Sequence, residues 1–126
     1  MIRLAVHEDI PNIVGLLKEC NLFNSMLDYS TFSHLTLVAE EGGQLRGMIQ
    51  MLMGKPHAYL SEIAVAPEWQ GKGIGSDLLE AAELILKLGG VKAWGGCVSE
   101  ANINAMKKAA HVSQHRGIGH IYMRIM

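Results

Sequence analysis

The order of apolar and polar positions divides the first part of the chain into a strand and one or two helices. Apolar residues alternate with others from Ile2 to Val6, which predicts a short strand. A helical period then begins behind Asp9, the expected N-cap, and continues to about Cys20. Residues 21–35 follow no clear period, and a short helix from Met26 to His34 is the expectation there.

A glycine turn predicts a hairpin in the next part of the chain. Two β-rich runs, Thr36 to Glu40 and Leu45 to Met53, flank the pair Gly42-Gly43. The second run is apolar at nearly every position, so we expect both of its faces to be covered. Its methionines therefore predict core packing rather than an adaptable binding surface.

The centre of the chain reads as a strand, a glycine-dense loop and a helix. The strand runs from Leu60 to Ala66 and ends at Pro67, which has no N–H to donate to a sheet. Beyond the loop at residues 70–75, apolar residues recur at helical spacing and polar residues take another side. The apolar positions are Ile74, Leu78, Ala82 and Ile85, and the polar positions are Ser76, Glu80, Glu83 and Lys87.

The last third of the chain continues the succession of helices and strands. Gly89-Gly90 predicts the C-cap and turn that end the central helix. A strand at residues 91–98, a helix at residues 102–111 and a strand at residues 117–126 are expected to follow. Gly95-Gly96 interrupts the first of these strands, which indicates a bulge or the close approach of another backbone.

Composition places the chain among single-domain globular proteins. Residues 1–126 form one predicted domain that is 49% apolar and 18% charged, with a net charge of −1. This charge gives no footprint for nucleic acid, and no apolar run has the roughly 20 residues of a membrane span. Two cysteines are too few for a disulfide framework and no secretory signal opens the chain, so we expect a cytoplasmic protein.

The loop at residues 70–75 has the composition of a phosphate-binding site. Glycine permits a ligand to approach closely, and a helix N-terminus offers N–H groups to an anion. A P-loop would need Ser or Thr after Gly-Lys, and here Gly73 follows Lys72. A Rossmann fingerprint would need glycine where Ser76 stands and would follow the first strand of its unit, whereas this loop lies mid-chain.

A third pattern fits the same residues. Val65-Ala66-Pro67, followed by Gln70, Gly73 and Gly75, resembles the acyl-CoA signature of the GNAT superfamily of N-acetyltransferases. That signature is Gln or Arg, two residues, Gly, one residue, then Gly or Ala, directly after a strand that ends in Val-x-Pro. The opening of the chain, RLA followed by EDIP at residues 8–11, is also similar to this family.

The resemblance implies an α/β (α+β) GNAT fold over the whole chain, with a central mixed, mostly antiparallel sheet flanked by helices. The sheet is expected to splay between its fourth and fifth strands, where the pantetheine arm of acetyl-CoA would enter. Backbone groups of the fourth strand would pair with that arm, and the glycine loop would hold the pyrophosphate. The implied cofactor-binding residues are Ile63, Ala64, Val65, Gln70, Gly71, Lys72, Gly73, Ile74, Gly75, Ser76 and Asn102.

The resemblance also implies direct attack of a primary amine on the thioester, which requires a general base. Glu62 precedes the cofactor-binding segment and is the expected base, on a face shared with Leu60 and Ala64 if alternation holds. Tyr59 and His57 are weaker candidates at the start of the same strand. An ordinary solvated or ion-paired strand glutamate is the alternative interpretation of Glu62.

One feature common in the family is missing. Many relatives carry Asn, two residues, Ala, three residues and Tyr on the helix after the fifth strand, and this tyrosine protonates the leaving thiolate. Here Asn102 and Ala105 match, but Ala109, or Met106 in a second alignment, stands at the tyrosine position. Tyr122 on the last strand is the candidate replacement, although a coenzyme A thiolate is a tolerable leaving group without an acid.

The sequence does not specify the acceptor, which could be a small-molecule or a protein amine. In the family, the region at residues 21–35 forms a wall of the acceptor pocket, and here it is short. Asp28, Tyr29 and His34 are its polar candidates, with surface or core positions favoured for each. Because little pocket wall is present, a partner subunit in a homodimer is a hypothesis for completing it.

Residues outside the central unit add little further chemistry. His111 and His115 could share a helix face, but no acidic or cysteine partner has a suitable spacing, so we predict no metal site. Cys97 on the predicted fifth strand is expected to be a buried, inert thiol.

Three functions remain open from the sequence alone. The first is an N-acetyltransferase, and the second is a CoA-binding or regulatory module with weak or no catalysis, which Ala109 would favour. The third is a nucleotide-binding α/β domain, against which the Val-x-Pro sequence and Gln70 argue. Turnover would separate the first two, and cofactor preference would separate either from the third.

Overall fold

Strands and helices alternate along the chain largely as the sequence pattern predicts. The computed structural model describes residues 1–20, 34–97, 114–115 and 121–125. The strands are β1 (Ile2–Leu4), β2 (His34–Glu41), β3 (Gln44–Leu52), β4 (His57–Val65), β5 (Ala93–Cys97), β6 (Gln114–His115) and β7 (Ile121–Ile125). The helices are α1 (Ile10–Glu19) and α2 (Ile74–Leu88), preceded by 3-10 turns at His7–Asp9 and Pro67–Trp69.

The strands form one sheet in the order β1-β2-β3-β4-β5-β7-β6. Neighbouring strands are antiparallel except β4 and β5, which run parallel. The prediction of a mixed, mostly antiparallel sheet flanked by helices is therefore confirmed. β4 and β5 pair only from His57 opposite Ala93 to Tyr59 opposite Gly95, while β4 continues to Val65. This is the predicted divergence of the fourth and fifth strands.

The two helices cover opposite faces of the sheet. The α2 face buries a core that includes Leu37, Ile49, Met51, Leu78, Ala82, Leu86 and Trp94. The α1 face buries a second core made of Ile13, Leu16, Leu17, Val38, Met48, Ala64 and Ala66. Met48 and Met51 lie fully buried in opposite cores, because successive residues of β3 point to opposite faces. Core packing, rather than an exposed binding surface, is therefore confirmed for both methionines.

Glycine ends α2 as predicted. Gly90 has a φ of +86°, and the N–H groups of Gly90 and Val91 donate to the Lys87 and Leu86 carbonyls at 3.0 and 2.9 Å. These two bonds make a Schellman motif, in which glycine adopts the left-handed conformation without strain.

One polar position of α2 was predicted wrongly. Glu83 was expected on the polar side of the helix, but it is only 9% exposed, and Trp94 Nε1 donates to its Oε1 at 3.2 Å. The helical period identifies a polar residue but does not reveal that β5 brings a hydrogen-bond donor to it.

Asp9 stands at the predicted start of α1 but binds different partners from those of an N-cap. Its carboxylate accepts from Arg3 Nη1 and Nη2 at 2.8 and 3.0 Å and from the Val6 N–H at 2.8 Å. Arg3 also donates to Glu40 of β2 at 2.8 Å. The hydrogen-bonded guanidinium holds the pKa of the Asp9 carboxyl below its usual value. The network therefore ties β1, the start of α1 and β2 together.

Several predicted boundaries differ from the structure. His34 and Leu35 begin β2, so the helix predicted to end at His34 was wrong there. β4 starts three residues earlier than predicted, at His57, because its first residues pair with β5, which a local pattern does not show. His115 lies in a strand, so it does not share a helix face with His111. The helices predicted at residues 26–33 and 102–111 lie outside the described residues.

The length and hydropathy of the helices bear on membrane insertion. Among the described residues, neither helix combines the length and hydropathy that crossing a membrane requires.

Candidate functional site

The loop between β4 and α2 has the backbone geometry for which its glycines were expected. Gly71 and Gly73 have φ values of +79° and +89°, in the left-handed region that favours glycine. A Cβ atom at either position would meet no atom within 4 Å. The backbone conformation therefore selects glycine here, and the space beside the loop is open. Gly73 is also the N-cap of α2.

The start of α2 offers backbone donors next to this open space. The first bond of the helix runs from the Asp77 N–H to the Gly73 carbonyl at 3.0 Å. The N–H groups of residues 74 and 75 precede that bond at the very start of the helix, where no earlier helical carbonyl is available to them. Together with the positive end of the helix dipole and the exposed Lys72, they suit this end of α2 to an anion.

Side chains fasten the loop to the end of β4. Gln70 Nε2 donates to the Val65 carbonyl at 3.0 Å, and Cys20 Sγ, just beyond α1, donates to the same oxygen at 3.2 Å. Burial raises the pKa of the Cys20 thiol, so the thiol stays protonated and able to donate. Both lone pairs of the Val65 carbonyl are therefore in use. Gln70, a predicted cofactor residue, braces the loop against the strand in this arrangement.

Beyond Tyr59, β4 pairs with β3 on one side and no longer pairs with β5 on the other, within the part of the sheet that the structure describes. The Ala66 N–H donates to the Arg46 carbonyl of β3 at 2.7 Å. Since N–H groups alternate along a strand, the N–H of the preceding Val65 faces the side from which β5 has diverged. The end of β4 thus presents a backbone donor at the divergence.

Gly96 lies beside Leu60, one residue beyond the last paired residues of β4 and β5. A Cβ atom on Gly96 would lie 3.2 Å from Leu60 Cβ and 3.4 Å from the Leu60 carbonyl oxygen. Glycine therefore lets the two strands approach at the point of divergence. This confirms, for Gly96, the close approach that the glycine pair predicts.

A bulge in β4 determines the direction of Glu62. The register between β3 and β4 skips Ser61, which has no residue opposite it on β3. Leu60 packs with the α2-face core, whereas Ala64 packs with the α1-face core. Glu62 therefore shares the α1 face with Ala64, as predicted, but not with Leu60. The prediction was wrong for Leu60 because the extra residue reverses the alternation.

Glu62 has the electrostatic environment of a base. It is half-buried, and burial raises the pKa of its carboxyl to about 6, with a weaker opposing effect from the Ile63 N–H. A carboxyl of this pKa is ionised at neutral pH and is a stronger base than an exposed glutamate. Such shifts are found preferentially at functional sites.

The sequence analysis did not predict that two cationic side chains contact the ring of Trp69 beside the loop. Arg46 Cζ and Lys72 Nζ each lie 4.7 Å from the centroid of the Trp69 ring, within cation–π distance. The spacing of Trp69 and Lys72 within the motif was a visible signal. Arg46 was not, because only the pairing of β3 with β4 brings it to the ring.

The remaining predicted residues are described to different extents. Tyr122 lies on β7 with its backbone opposite Gly96 of β5. Tyr59 is 44% exposed, and His57 is exposed at the start of β4. Within the described ranges, no three His, Cys, Asp or Glu side chains come together as a metal site would require. The candidates outside the described residues are Asp28, Tyr29, Asn102, Ala105, Met106, Ala109 and His111.

Comparison of the sequence with known families decides the class of this fold and site. The sequence model of the acetyltransferase (GNAT) family matches residues 7–111, most of the chain. This chain belongs to the GNAT acetyltransferase family. It is an enzyme of the N-acetyltransferase class, and the predicted membership is confirmed. No curated protein matches the sequence.

Solved GNAT structures share the fold of this chain over almost its whole length. The PaiA N-acetyltransferase from Thermoplasma acidophilum, solved with coenzyme A, is 18% identical with a TM-score of 0.84, over 100% of this chain and 98% of its own. The IAA acetyltransferase from Bacillus cereus is 21% identical with a TM-score of 0.82, over 100% and 99%. A GNAT acetyltransferase from Staphylococcus aureus is 13% identical with a TM-score of 0.85, over 99% and 98%. At these identities the likeness shows the fold alone, while the first structure shows that coenzyme A binds within the family.

Proposed function

We propose that this enzyme is an acetyl-CoA-dependent N-acetyltransferase that moves an acetyl group to a primary amine by direct attack on the thioester. The observation that carries the proposal is the unit of β4, loop and α2. Its strand edge lacks β5 beyond Tyr59, and a loop with positive φ at Gly71 and Gly73 follows at a helix start. The edge suits an extended chain with amide groups, and the helix start suits a pyrophosphate. Coenzyme A carries both in one molecule.

The residues present fit this cofactor. Side chains at Gly71 and Gly73 would fill the open space beside the loop, so glycine allows phosphate oxygens to reach the backbone there. The N–H groups at the start of α2 and the Lys72 ammonium would hold the pyrophosphate. The backbone from Ile63 to Val65 would pair with the pantetheine arm, except at the Val65 carbonyl, which already has two donors. Asn102 lies outside the described residues, and its proposed role in binding the cofactor rests on the family motif alone.

The chemistry would be divided between the edge of β4 and Glu62. Bound acetyl-CoA would supply a thioester carbonyl as the acetyl donor. The Val65 N–H would donate to the carbonyl oxygen, on which negative charge develops. Glu62 would take the proton of the incoming ammonium, directly or through water, since its carboxylate is ionised at neutral pH and its pKa is about 6. The amine would then have a free lone pair with which to attack.

Tyr122 is the proposed acid for the leaving thiolate. The support is the pairing of β7 with β5, which places the Tyr122 backbone opposite Gly96, beside the divergence of β4 and β5. A thiol with a pKa of about 8.5 is a tolerable leaving group without an acid. Tyr122→Phe should therefore reduce turnover rather than abolish it.

The acceptor is proposed only as a primary amine, carried by a small molecule or by a protein. A homodimer and a cytoplasmic location are part of the proposal as expectations from the sequence. Analytical ultracentrifugation at several protein concentrations would test the dimer, and a single monomer boundary throughout would contradict it.

Amine-dependent release of free thiol from acetyl-CoA tests the proposed activity. A panel of polyamines, amino acids, aminoglycosides and peptide N-termini covers both acceptor classes, with mass spectrometry to detect the acetylated product. The expected result is thiol release that requires one of these amines. Binding of acetyl-CoA without turnover on any of them would favour a CoA-binding or regulatory module instead.

A further inference from the structure

Three polar side chains form a row across the α1 face of the sheet, and the row ends at Glu62. Thr36 on β2 stands opposite Gln50 on β3, and Gln50 stands opposite Glu62 on β4. On each strand, the residue two positions from the polar one belongs to the α1-face core. These core residues are Val38 on β2, Met48 on β3 and Ala64 on β4. Since alternate residues of a strand share a face, the three polar side chains lie side by side, about 5 Å apart from strand to strand.

Gln50 is the unusual member of this row. It is 0% exposed, and its Nε2 donates to Thr36 Oγ1 at 3.2 Å. Its other amide atom, Oε1, is buried and accepts no hydrogen bond from the described part of the chain. Leaving a buried carbonyl oxygen without a donor is unfavourable, so such a group in a native core calls for an explanation.

The chemistry of the row identifies the missing donor. Gln50 Nε2 donates to Thr36 on one neighbouring strand, and the residue opposite Gln50 on the other neighbouring strand is Glu62. Oε1 accepts hydrogen bonds and so does an ionised carboxylate, so the two cannot bond to each other. A group with two O–H donors between them would bond to both, and a water molecule is such a group.

A cavity reaches one end of this row, at Thr36. Its volume is about 270 Å³, and it lies between β1, the start of α1 and the start of β2, partly open to solvent. His7, Ile10 and His34 also line it, so the cavity has polar as well as apolar walls. A volume of this size exceeds that of several water molecules.

We propose that Gln50 is a positioning residue of the acyl-transfer site, whose carbonyl oxygen anchors the water through which Glu62 deprotonates the acceptor amine. This inference rests on the proposed function. In this step the ammonium N–H bond breaks and its proton passes to the water oxygen, while a proton of that water passes to the Glu62 carboxylate. The amine becomes neutral with its lone pair free, the water is regenerated, and Glu62 becomes a carboxylic acid.

Other titratable groups near Glu62 have to be held constant in a test. Cys20 approaches it from the end of α1, with Glu19 next to Cys20 in sequence. Arg46 stands further along β3, on the face that it shares with Gln50 by alternation. None of these residues is changed in Gln50→Met, Thr36→Val or Val38→Ala.

The first test is an NMR titration of the Glu62 carboxyl in the full chain without cofactor, assigned with Glu62→Gln. Gln50→Met keeps the length of the side chain and removes the acceptor. It should raise the pKa of Glu62 by at least about half a unit, because the ionised carboxylate loses a water donor. Val38→Ala, which changes an equally buried residue of the same face without a polar atom, should leave that pKa in place. An unmoved Glu62 titration in Gln50→Met would overturn the proposal.

Kinetics give the second test. Gln50→Met should lower kcat about tenfold, move the acid limb of kcat/KM to higher pH and leave the KM for acetyl-CoA unchanged. Thr36→Val leaves Oε1 in place but frees the amide to rotate, so it should move the limb less in the same direction. If Gln50→Met does not fold, Thr36→Val provides the test, and an unmoved acid limb of kcat/KM in that variant would overturn the proposal.

No acetyl transfer by the unaltered chain would overturn the proposed function, whereas transfer with an unmoved Glu62 titration would overturn the role of Gln50 alone.

Discussion

At the scale of single residues, Glu62 has the property on which the proposed reaction depends. Burial raises the pKa of its carboxyl to about 6, and a base must be ionised to act. We therefore expect kcat/KM to rise with pH through about 6 and to level off above it. Glu62→Gln should remove this limb and lower kcat by about 10² to 10⁴-fold, the usual contribution of a general base. An unaltered pH profile in the variant would remove Glu62 from this role.

The same carboxyl predicts a pH-dependent stability. Its pKa is about 6 in the folded chain and 4.5 in the reference state, so the folded chain binds more protons in that window. The stability that protonation contributes is present below pH 4.5 and is lost as the pH rises through 6. Glu62→Gln should therefore raise Tm at pH 7.5 and leave it unchanged at pH 4. Thermal unfolding at both pH values checks this, and an equal change in Tm at both would contradict it.

Gly73 is the residue at which backbone conformation and the proposed cofactor site coincide. Its φ of +89° strains any other residue, by about 1–2 kcal/mol, and a side chain there would enter the open space beside the loop. Gly73→Val should abolish acetyl-CoA binding while the chain remains folded, as calorimetry and circular dichroism would report.

Gly43 provides a matched control for that variant. It has a φ of +77° and equally open surroundings, but it lies in the β2–β3 turn. Gly43→Val should cost similar stability and leave acetyl-CoA affinity unchanged. Equal affinities in the two variants would mean that the loop does not bind the cofactor.

At the scale of elements, one buried hydrogen bond joins β5 to α2. Trp94 Nε1 donates to Glu83 Oε1 at 3.2 Å, and Trp94 is only 4% exposed. Trp94→Phe retains an aromatic ring in the core but removes this donor from the buried carboxylate. The free energy of unfolding should fall by about 1–3 kcal/mol in urea denaturation. An unchanged unfolding midpoint would show that this bond does not hold β5 against the helix.

Elements with a local signal could be predicted from the sequence, and elements set by pairing could not. Gly42-Gly43 specifies the β2–β3 turn by itself, with φ values of +61° and +77°. Pro67 likewise ends β4 whatever the rest of the chain does, since it lacks an N–H. The bulge at Ser61 has no such signal, because it exists only in the register between β3 and β4. The direction of Leu60 relative to Glu62 was wrong for that reason.

The same distinction between local signals and strand pairing applies to the candidate site. The open, positive-φ glycine loop followed from the residues at 70–75, which make their conformation locally. The stack of Arg46 on Trp69 and the row from Thr36 to Glu62 did not, because each joins residues from different strands. The pKa of Glu62 also depends on burial, which a strand pattern does not measure.

At the scale of the whole molecule, the divergence of β4 from β5 relates the parts of the proposed site to one another. The sheet carries α1 on the face of Glu62 and α2 on the other, and the loop that begins α2 lies at the end of β4. A cofactor held along the edge of β4 would therefore have its phosphates at the loop and its thioester nearer Glu62. Family membership confirms the class of enzyme, while this arrangement is the basis for the proposed cofactor and base.

Calorimetric titration of the purified chain with acetyl-CoA, with NAD and ATP as controls, tests whether the edge of β4 and the glycine loop form an acetyl-CoA site. We expect saturable binding of one acetyl-CoA per chain and no comparable binding of NAD or ATP. That selectivity is expected because the free edge of β4 matches a pantetheine arm, which neither control molecule has. Absence of acetyl-CoA binding, or equal binding of the three ligands, would contradict this assignment of the site.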